Sequence, residues 1–259
     1  MKVLPAAAEA DLERRFGGLR RLYGEAGYAR LRAARVAVVG VGGVGSWAAE
    51  ALARSGVAAL VLIDLDHVAE SNINRQVQAL GHTLGQAKVQ ALRERIADIH
   101  PGCEVQTVEE FVDEHNWPAL LPGRVDVLID ACDQVRAKAA LAGWALREAQ
   151  ACVTVGAAGG RRMAQRVEVD DLAAVTHDPL LAALRQRLRR EQGASRKGPI
   201  GLRCVFSREP VALADEACST DGTLNCAGYG SSVSVTATFG MVAAGEAIAQ
   251  LLARPAAKA

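Results

Sequence analysis

The sequence predicts an α/β protein built on a Rossmann-like, doubly wound, mainly parallel sheet. Short apolar runs ending in a turn residue or an acid alternate with segments of helical spacing, which is the rhythm of β-α-β units. Alanine, valine, leucine and glycine abound while aromatic residues make up only 4% of the chain, a balance suited to helices packed closely on a parallel sheet. The 259 residues, half of them hydrophobic, carry 30 basic and 29 acidic side chains, enough for a large core in one large domain or two small ones.

The elements follow in order. The start, MKVLPAAAEADLERR, has one lysine and a brief apolar stretch, but acids come too soon for a secretory signal, so the expected location is cytoplasmic. RVAVVG (35–40) and ALVLID (59–64) read as buried strands around a helix from Val44 to Ser55. Gly85 to His100 reads as a helix stopped by Pro101, EVQTV (104–108) and VDVLID (125–130) as strands, residues 135–150 as a helix and CVTVG (152–156) as a further strand. Residues 30–160 thus form a nucleotide-binding half within a single domain spanning 1–259.

After Gly156-Ala157-Ala158-Gly159-Gly160 the rhythm breaks. From Arg161 to Arg208 there are eleven Lys or Arg against five Asp or Glu, and RQRLRREQGASRKG reads as a helix running into a flexible loop. Such a cluster is either a solvated helix face or an electrostatic footprint for a polyanion. The nucleic-acid candidates are Arg185, Arg187, Arg189, Arg190, Arg196 and Lys197, in a basic substrate-side region over 161–228. Residues 229–259 read as a carboxy-terminal helix. Its window from Tyr229 to Ala253 is long enough for a membrane span. Serines, threonines, glycines and Glu246 within it favour a core or subunit-interface helix.

The chemistry starts at Gly40-Val41-Gly42-Gly43-Val44-Gly45. Its glycines, Gly40, Gly42, Gly43 and Gly45, stand where a tight turn, close approach to phosphate and close helix packing each exclude a Cβ. Asp64 closes the next strand where an acid can hold ribose hydroxyls. NAD and ATP fit equally to this point. The stretch DLDHVAESNINRQ (64–76) then brings Asn72, Asn74, Arg75 and Gln76, with Lys88 at the start of the following helix. Hydride transfer has no need of two cations beside the phosphates, whereas attack on the α-phosphate of ATP must neutralise a departing pyrophosphate. Asp133 in IDACDQ adds a carboxylate suited to a hydrated Mg²⁺. Each residue has a bland reading: Arg75 as a surface charge, Lys88 as a helix-start side chain, Asp133 as a helix cap. Together at one sheet edge they favour ATP and Mg²⁺, with Arg75, Lys88 and Asp133 as the catalytic candidates.

This set of motifs resembles the superfamily of ubiquitin-activating-enzyme-like adenylating proteins, which includes the sulfur-carrier activators of thiamine and molybdopterin synthesis. The resemblance covers nearly the whole chain. It implies that Asp64 holds the ribose, that Asn72, Arg75 and Lys88 hold phosphates, and that Asp133 organises Mg²⁺. Departures narrow the branch. Six cysteines, Cys103, Cys132, Cys152, Cys204, Cys218 and Cys226, form no C-x-x-C pair, so the zinc of the sulfur-carrier activators is not expected. Cys204 in LRCVFS stands where an acyl-accepting thiol could lie, and reads equally well as a buried strand cysteine. Gly18 replaces the second arginine by which the activators reach a partner subunit's nucleotide, leaving Arg20 or Arg21 as substitutes.

RFGGLRRLYGEAGYARLRAARVAVVG, the basic insertion, CVFSREP and GYGSSVSVTATFG are together most similar to the tRNA threonylcarbamoyladenosine dehydratases. That branch implies ATP-dependent activation of the carboxylate of a threonylcarbamoyl group on adenosine 37 of tRNA, followed by ring closure with net loss of water. A carboxylate cannot expel oxide, its acyl-adenylate can expel AMP, and a nucleophile in the same side chain is already close. The other reading is an adenylyltransferase that activates the carboxyl terminus of a sulfur-carrier or ubiquitin-like protein. The resemblance further implies a homodimer and admits a sulfur-transfer partner.

Overall fold

The computed structural model describes residues 10–212 and 229–253. A kinked helix, α1 (Leu12–Ala33), is broken at Gly24 and leads into β1 (Arg35–Val39), α2 (Gly45–Arg54) and β2 (Ala59–Ile63). There follow α3 (Lys88–Ile99), β3 (Glu104–Val108), β4 (Val127–Asp130), α4 (Val135–Arg147) and β5 (Ala151–Val155). The remaining elements are β6 (Val167–Asp171), α5 (Pro179–Glu191), β7 (Arg203–Ser207) and α6 (Val233–Ala253).

The strands form one seven-stranded sheet in the order β3-β2-β1-β4-β5-β7-β6, parallel throughout except that β6 runs antiparallel to β7. This bears out the predicted fold class. Because side chains alternate across a strand, each strand feeds two cores. Val36 and Val38 of β1, with Leu60 and Leu62 of β2, pack with α2 and α6, while Ala37, Val39, Val61 and Ile63 pack on the other face with α4 and α5. All eight are at most 2% exposed, and each Val, Leu or Ile so buried contributes roughly 1.5–3 kcal/mol.

The chain leaves β3 at one edge and re-enters beside β1 as β4, so the winding reverses between β1 and β4. Loops leaving the carboxyl ends of those strands diverge there and open a crevice, which is where ligands bind in open α/β sheets.

Two expectations need adjusting. The helix read as Gly85–His100 starts at Lys88, because Gly85 has φ +82° and the chain between them is tied back to the preceding loop, Gly85 and Lys88 donating to the Val68 and Asp66 carbonyls at 2.9 Å each. The basic stretch is no separate appendage to the sheet: two of its segments are β6 and β7, paired over five registers. Helix α6 is long and apolar enough to cross a membrane, yet Phe239, Ala243, Ala247 and Leu251 are buried within the core. It crosses α2 so closely that a Cβ on Gly240 would lie 2.5 Å from the Val44 carbonyl oxygen. Cys218, Cys226 and residues 254–259 of the predicted carboxy-terminal segment lie outside the described residues.

Candidate active site

The glycine turn is built by exclusion. Gly40 sits at φ +82°, a conformation that favours glycine, and its missing Cβ would meet the Ala131 carbonyl at 2.9 Å. A Cβ on Gly45 would lie 1.8 Å from the Gly40 carbonyl oxygen, so α2 can start directly against the end of β1. Gly45 is therefore a packing glycine and does not line the cavity, whereas Gly40, Gly42 and Gly43 do. That cavity, about 410 Å³, lies at the winding reversal and also receives Asp64, Arg75, Gln76, Lys88 and Asp133. Most of the residues singled out by spacing alone thus share one wall or another of a single space.

Asp64 ties two loops together. One carboxylate oxygen accepts from the Val41 amide at 2.7 Å and the other from the Asp66 amide at 2.9 Å. Burial raises its pKa, and the Lys88 charge opposes that rise. Lys88 itself is 4% exposed, with its ammonium 2.7 Å from the exposed carboxylate of Asp66. Arg75 donates through Nη1 to the Ser71 carbonyl at 2.6 Å and to Asn74 Oδ1 at 2.9 Å, leaving Nε and Nη2 without a partner among the described residues. Its carbonyl is held from behind by the Trp47 indole N–H at 2.9 Å. The loop cation is thereby fixed relative to α2.

Asn72 departs from the phosphate-contacting role implied by resemblance. Its Oδ1 accepts from the Ala69 amide at 3.0 Å and its carbonyl accepts from the Arg75 and Gln76 amides, so it builds the turn that presents those residues and is not on the cavity wall. Asp133 is exposed on that wall and makes no helix cap: Gln134 occupies the cap of α4, without a side-chain bond. No three His, Cys, Asp or Glu side chains form a metal cage among the described residues. Asp133 shares the cavity with Asp64, Asp66 and Glu110, and an exposed carboxylate across from the glycine turn suits Mg²⁺, which commonly binds through one or two carboxylates plus substrate phosphates.

Sequence reasoning missed much of the remaining lining. Phe111 and Val112 follow β3, Gly156–Gly159 follow β5, Pro179 and Leu180 open α5, and Tyr229 precedes α6. The first two sets stand just beyond the carboxyl ends of strands, and that position was the available signal. Cys204 is fully buried in β7, away from the cavity, and burial pushes its thiol pKa well up; it is the buried strand cysteine of the two readings.

The basic segment behaves differently. Arg185 donates to the Leu172 and Val175 carbonyls at 2.9 and 2.8 Å, Arg189 to Ser195 at 3.0 Å, and Arg187 and Arg190 both pair with Glu191 at 2.6 Å. Arg161 is completely buried, its guanidinium facing the Ala157, His177 and Glu209 carbonyls and Asp178. Arg196 and Lys197 are exposed, as are Arg162 and Arg166, and none of these four side chains has a partner among the described residues. At the amino terminus Arg20 pairs with Glu13 and Glu25 over the Tyr28 ring, while Arg21 is exposed.

A doubly wound sheet with a glycine turn, the cations Arg75 and Lys88 and the acids Asp64 and Asp133 converging at the winding reversal defines a nucleotide-binding α/β enzyme. The ThiF family model matches residues 15–259, and the chain belongs to that family. It is 41% identical to the tRNA threonylcarbamoyladenosine dehydratase of Haemophilus influenzae over 93% of this chain and 95% of that one. Its structure is similar to that of the Escherichia coli tRNA N6-threonylcarbamoyladenosine dehydratase in complex with ATP (TM-score 0.86, 42% identity, 95% of this chain and 98% of the other). The same enzyme in complex with AMP aligns equally well, with a TM-score of 0.86, 42% identity, and coverage of 96% and 98%.

Proposed function

We propose that this chain uses ATP to cyclise the threonylcarbamoyl side chain of adenosine 37 in tRNA with net loss of water. The convergence of Arg75, Lys88 and Asp133 with the glycine turn in one cavity carries the reading. The side-chain carboxylate attacks the α-phosphorus of ATP and pyrophosphate leaves. The ureido group of the same side chain then attacks the activated carbon, loses its proton and expels AMP.

Each residue's part follows from its position. The amides of the glycine turn and the first turn of α2 receive phosphate oxygens. Asp64, already held by two backbone amides, retains unused acceptor sites for the ribose hydroxyls. Lys88 gives up Asp66 for the departing phosphates, and Arg75 meets the same charge with its unpartnered nitrogens. These contacts strengthen as negative charge moves onto pyrophosphate, so they favour the transition state over bound ATP. Asp133 would hold Mg²⁺, which supplies charge neutralisation of the phosphates. The far wall, from Gly156 to Tyr229, receives the modified base.

A tRNA is held by its backbone while one base enters the protein, and the cations best able to do this are those without a partner among the described residues. Arg162 and Arg166, just beyond the cavity wall, therefore join Arg196 and Lys197 ahead of the self-paired cations of α5. The expected assembly is a cytoplasmic homodimer, to which α6 would offer its exposed Val233 and Met241. Activation of a sulfur-carrier protein through a thioester loses its candidate nucleophile, because Cys204 is sealed in the core.

The test supplies purified protein with magnesium, ATP and tRNA bearing the threonylcarbamoyl group, and measures AMP, pyrophosphate and the cyclic nucleoside by mild-extraction mass spectrometry. Equal amounts of all three are expected. ATP turnover that is independent of tRNA, or none at all, contradicts the proposal.

A further inference from the structure

One buried ionic cluster has no part in the chemistry above. Asp130, the last residue of β4, and Lys138 of α4 are both 0% exposed, with the ammonium 3.1 Å from Asp130 Oδ2. The same oxygen accepts from the Thr154 hydroxyl of β5 at 2.6 Å, and Lys138 also donates to the Asp130 carbonyl at 3.4 Å. The other carboxylate oxygen, Oδ1, accepts from the Cys132 amide at 3.1 Å. One carboxylate thus joins two strands, a helix and the first turn of the loop that carries Asp133.

That loop is coupled to the phosphate side as well. The Ala131 amide donates to the Val39 carbonyl at 2.9 Å, and the Ala131 carbonyl oxygen lies 2.9 Å from where a Cβ on Gly40 would stand. Asp133 itself makes no side-chain bond among the described residues, so its aim is set by the backbone beneath it. A wholly buried ion pair is a poor device for stability, because apolar residues of like volume often serve as well or better. What apolar residues cannot supply is an acceptor that fixes the Cys132 amide.

We propose that Asp130, held by Lys138 and Thr154, is a positioning residue that aims Asp133 at the magnesium of bound ATP. This rests on the reading of Asp133 given above.

The test compares the apolar triple variant Asp130→Leu/Lys138→Met/Thr154→Val with Asp130→Asn/Lys138→Met, in which the asparagine oxygen restores the acceptor for Cys132. The readouts are hydrogen exchange of the Cys132 and Asp133 amides and the Mg²⁺ concentration for half-maximal ATP binding by calorimetry. The triple variant is expected to melt cooperatively, to lose protection at both amides and to need about 10-fold more Mg²⁺, the lower end of effects seen when groups behind a metal ligand are removed. The asparagine variant is expected to recover most of both. A folded triple variant with the wild-type Mg²⁺ requirement overturns the proposal. Should the triple variant not melt cooperatively, Thr154→Val alone removes one donor to Oδ2, with a smaller rise expected and no change overturning the idea. Asp133→Asn is run alongside: if it leaves the Mg²⁺ requirement unchanged, the reading of Asp133 falls. If it shifts that requirement while the triple variant does not, only the positioning role falls.

Discussion

The loops that follow β1 and β2 and the basic segment from Arg161 to Arg208 both carry clustered cations, but the fold uses them in opposite ways. In the first region Arg75 and Lys88 are brought to one cavity with donors unpartnered among the described residues or held by a displaceable exposed carboxylate. In the second, Arg161, Arg187, Arg190, Arg203 and Arg208 are paired with carboxylates, and Arg185 and Arg189 cap backbone carbonyls. A motif with fixed spacing records where side chains converge. A charge count does not, because it cannot show which cations are spent inside the protein.

The largest effect expected from this contrast is catalytic. Arg75→Ala or Lys88→Met should lower ATP–pyrophosphate exchange about 100-fold or more, the scale for removing a charge-stabilising donor, with circular dichroism unchanged. Arg187→Ala should leave exchange within about twofold, as a change remote from the reacting atoms does. An equal loss in both would erase the distinction between the regions.

Next comes stability. Arg161→Met leaves the buried Asp178 carboxylate without its cation and should cost roughly 3 kcal/mol in urea unfolding, whereas Arg190→Met, a surface pair, should cost under about 1 kcal/mol. A small loss at Arg161 would mean that its interior bonds matter little.

The nucleotide half also carries a pH-sensitive point at the end of α3. Burial, with the Arg32 and Arg15 charges adding, pushes the His100 pKa down to about 4. The unfolded chain therefore takes up this proton first as pH falls. Stability from the neutral ring is complete above the ordinary value of 6.5 and is lost as pH falls toward 4. Melting temperature should drop over that window by an amount worth about 3 kcal/mol, and His100→Gln should flatten the slope. The slope persisting in that variant would assign it to other groups.

The finest distinction is between the cations that are paired and those without a partner among the described residues. Arg162→Ala and Arg166→Ala should each lower the salt dependence of tRNA binding by about one released counterion, and Arg187→Ala by less. The reverse order would restore α5 as the principal RNA contact.

Most of the nucleotide side was legible in the sequence, because strand ends, glycines and loop cations there obey spacing rules set by backbone geometry. The continuous apolar runs that marked β1, β2, β4 and β5 reflect burial on both faces, as Val38 and Val39 enter opposite cores. Gly45 has the close-packing duty read from the glycine pattern, while Asn72 builds the turn behind Arg75, and spacing cannot separate a residue that touches a ligand from one that holds its neighbour. The strand β6 escaped notice because its face is half-exposed and acidic, VEVDD, with pairing to β7 supplied from more than thirty residues away. The far wall escaped for a related reason: Pro179 and Tyr229 reach the cavity only through long-range packing.

The indole of Trp47 gives the protein an optical sensor of its own. It is bonded to the carbonyl of Arg75, while the other two tryptophans, Trp117 and Trp144, sit edge to face 5.3 Å apart and away from the glycine turn. Filling the phosphate side with nucleotide should alter emission from the first and spare the pair, so a fluorescence titration can follow occupancy without any label.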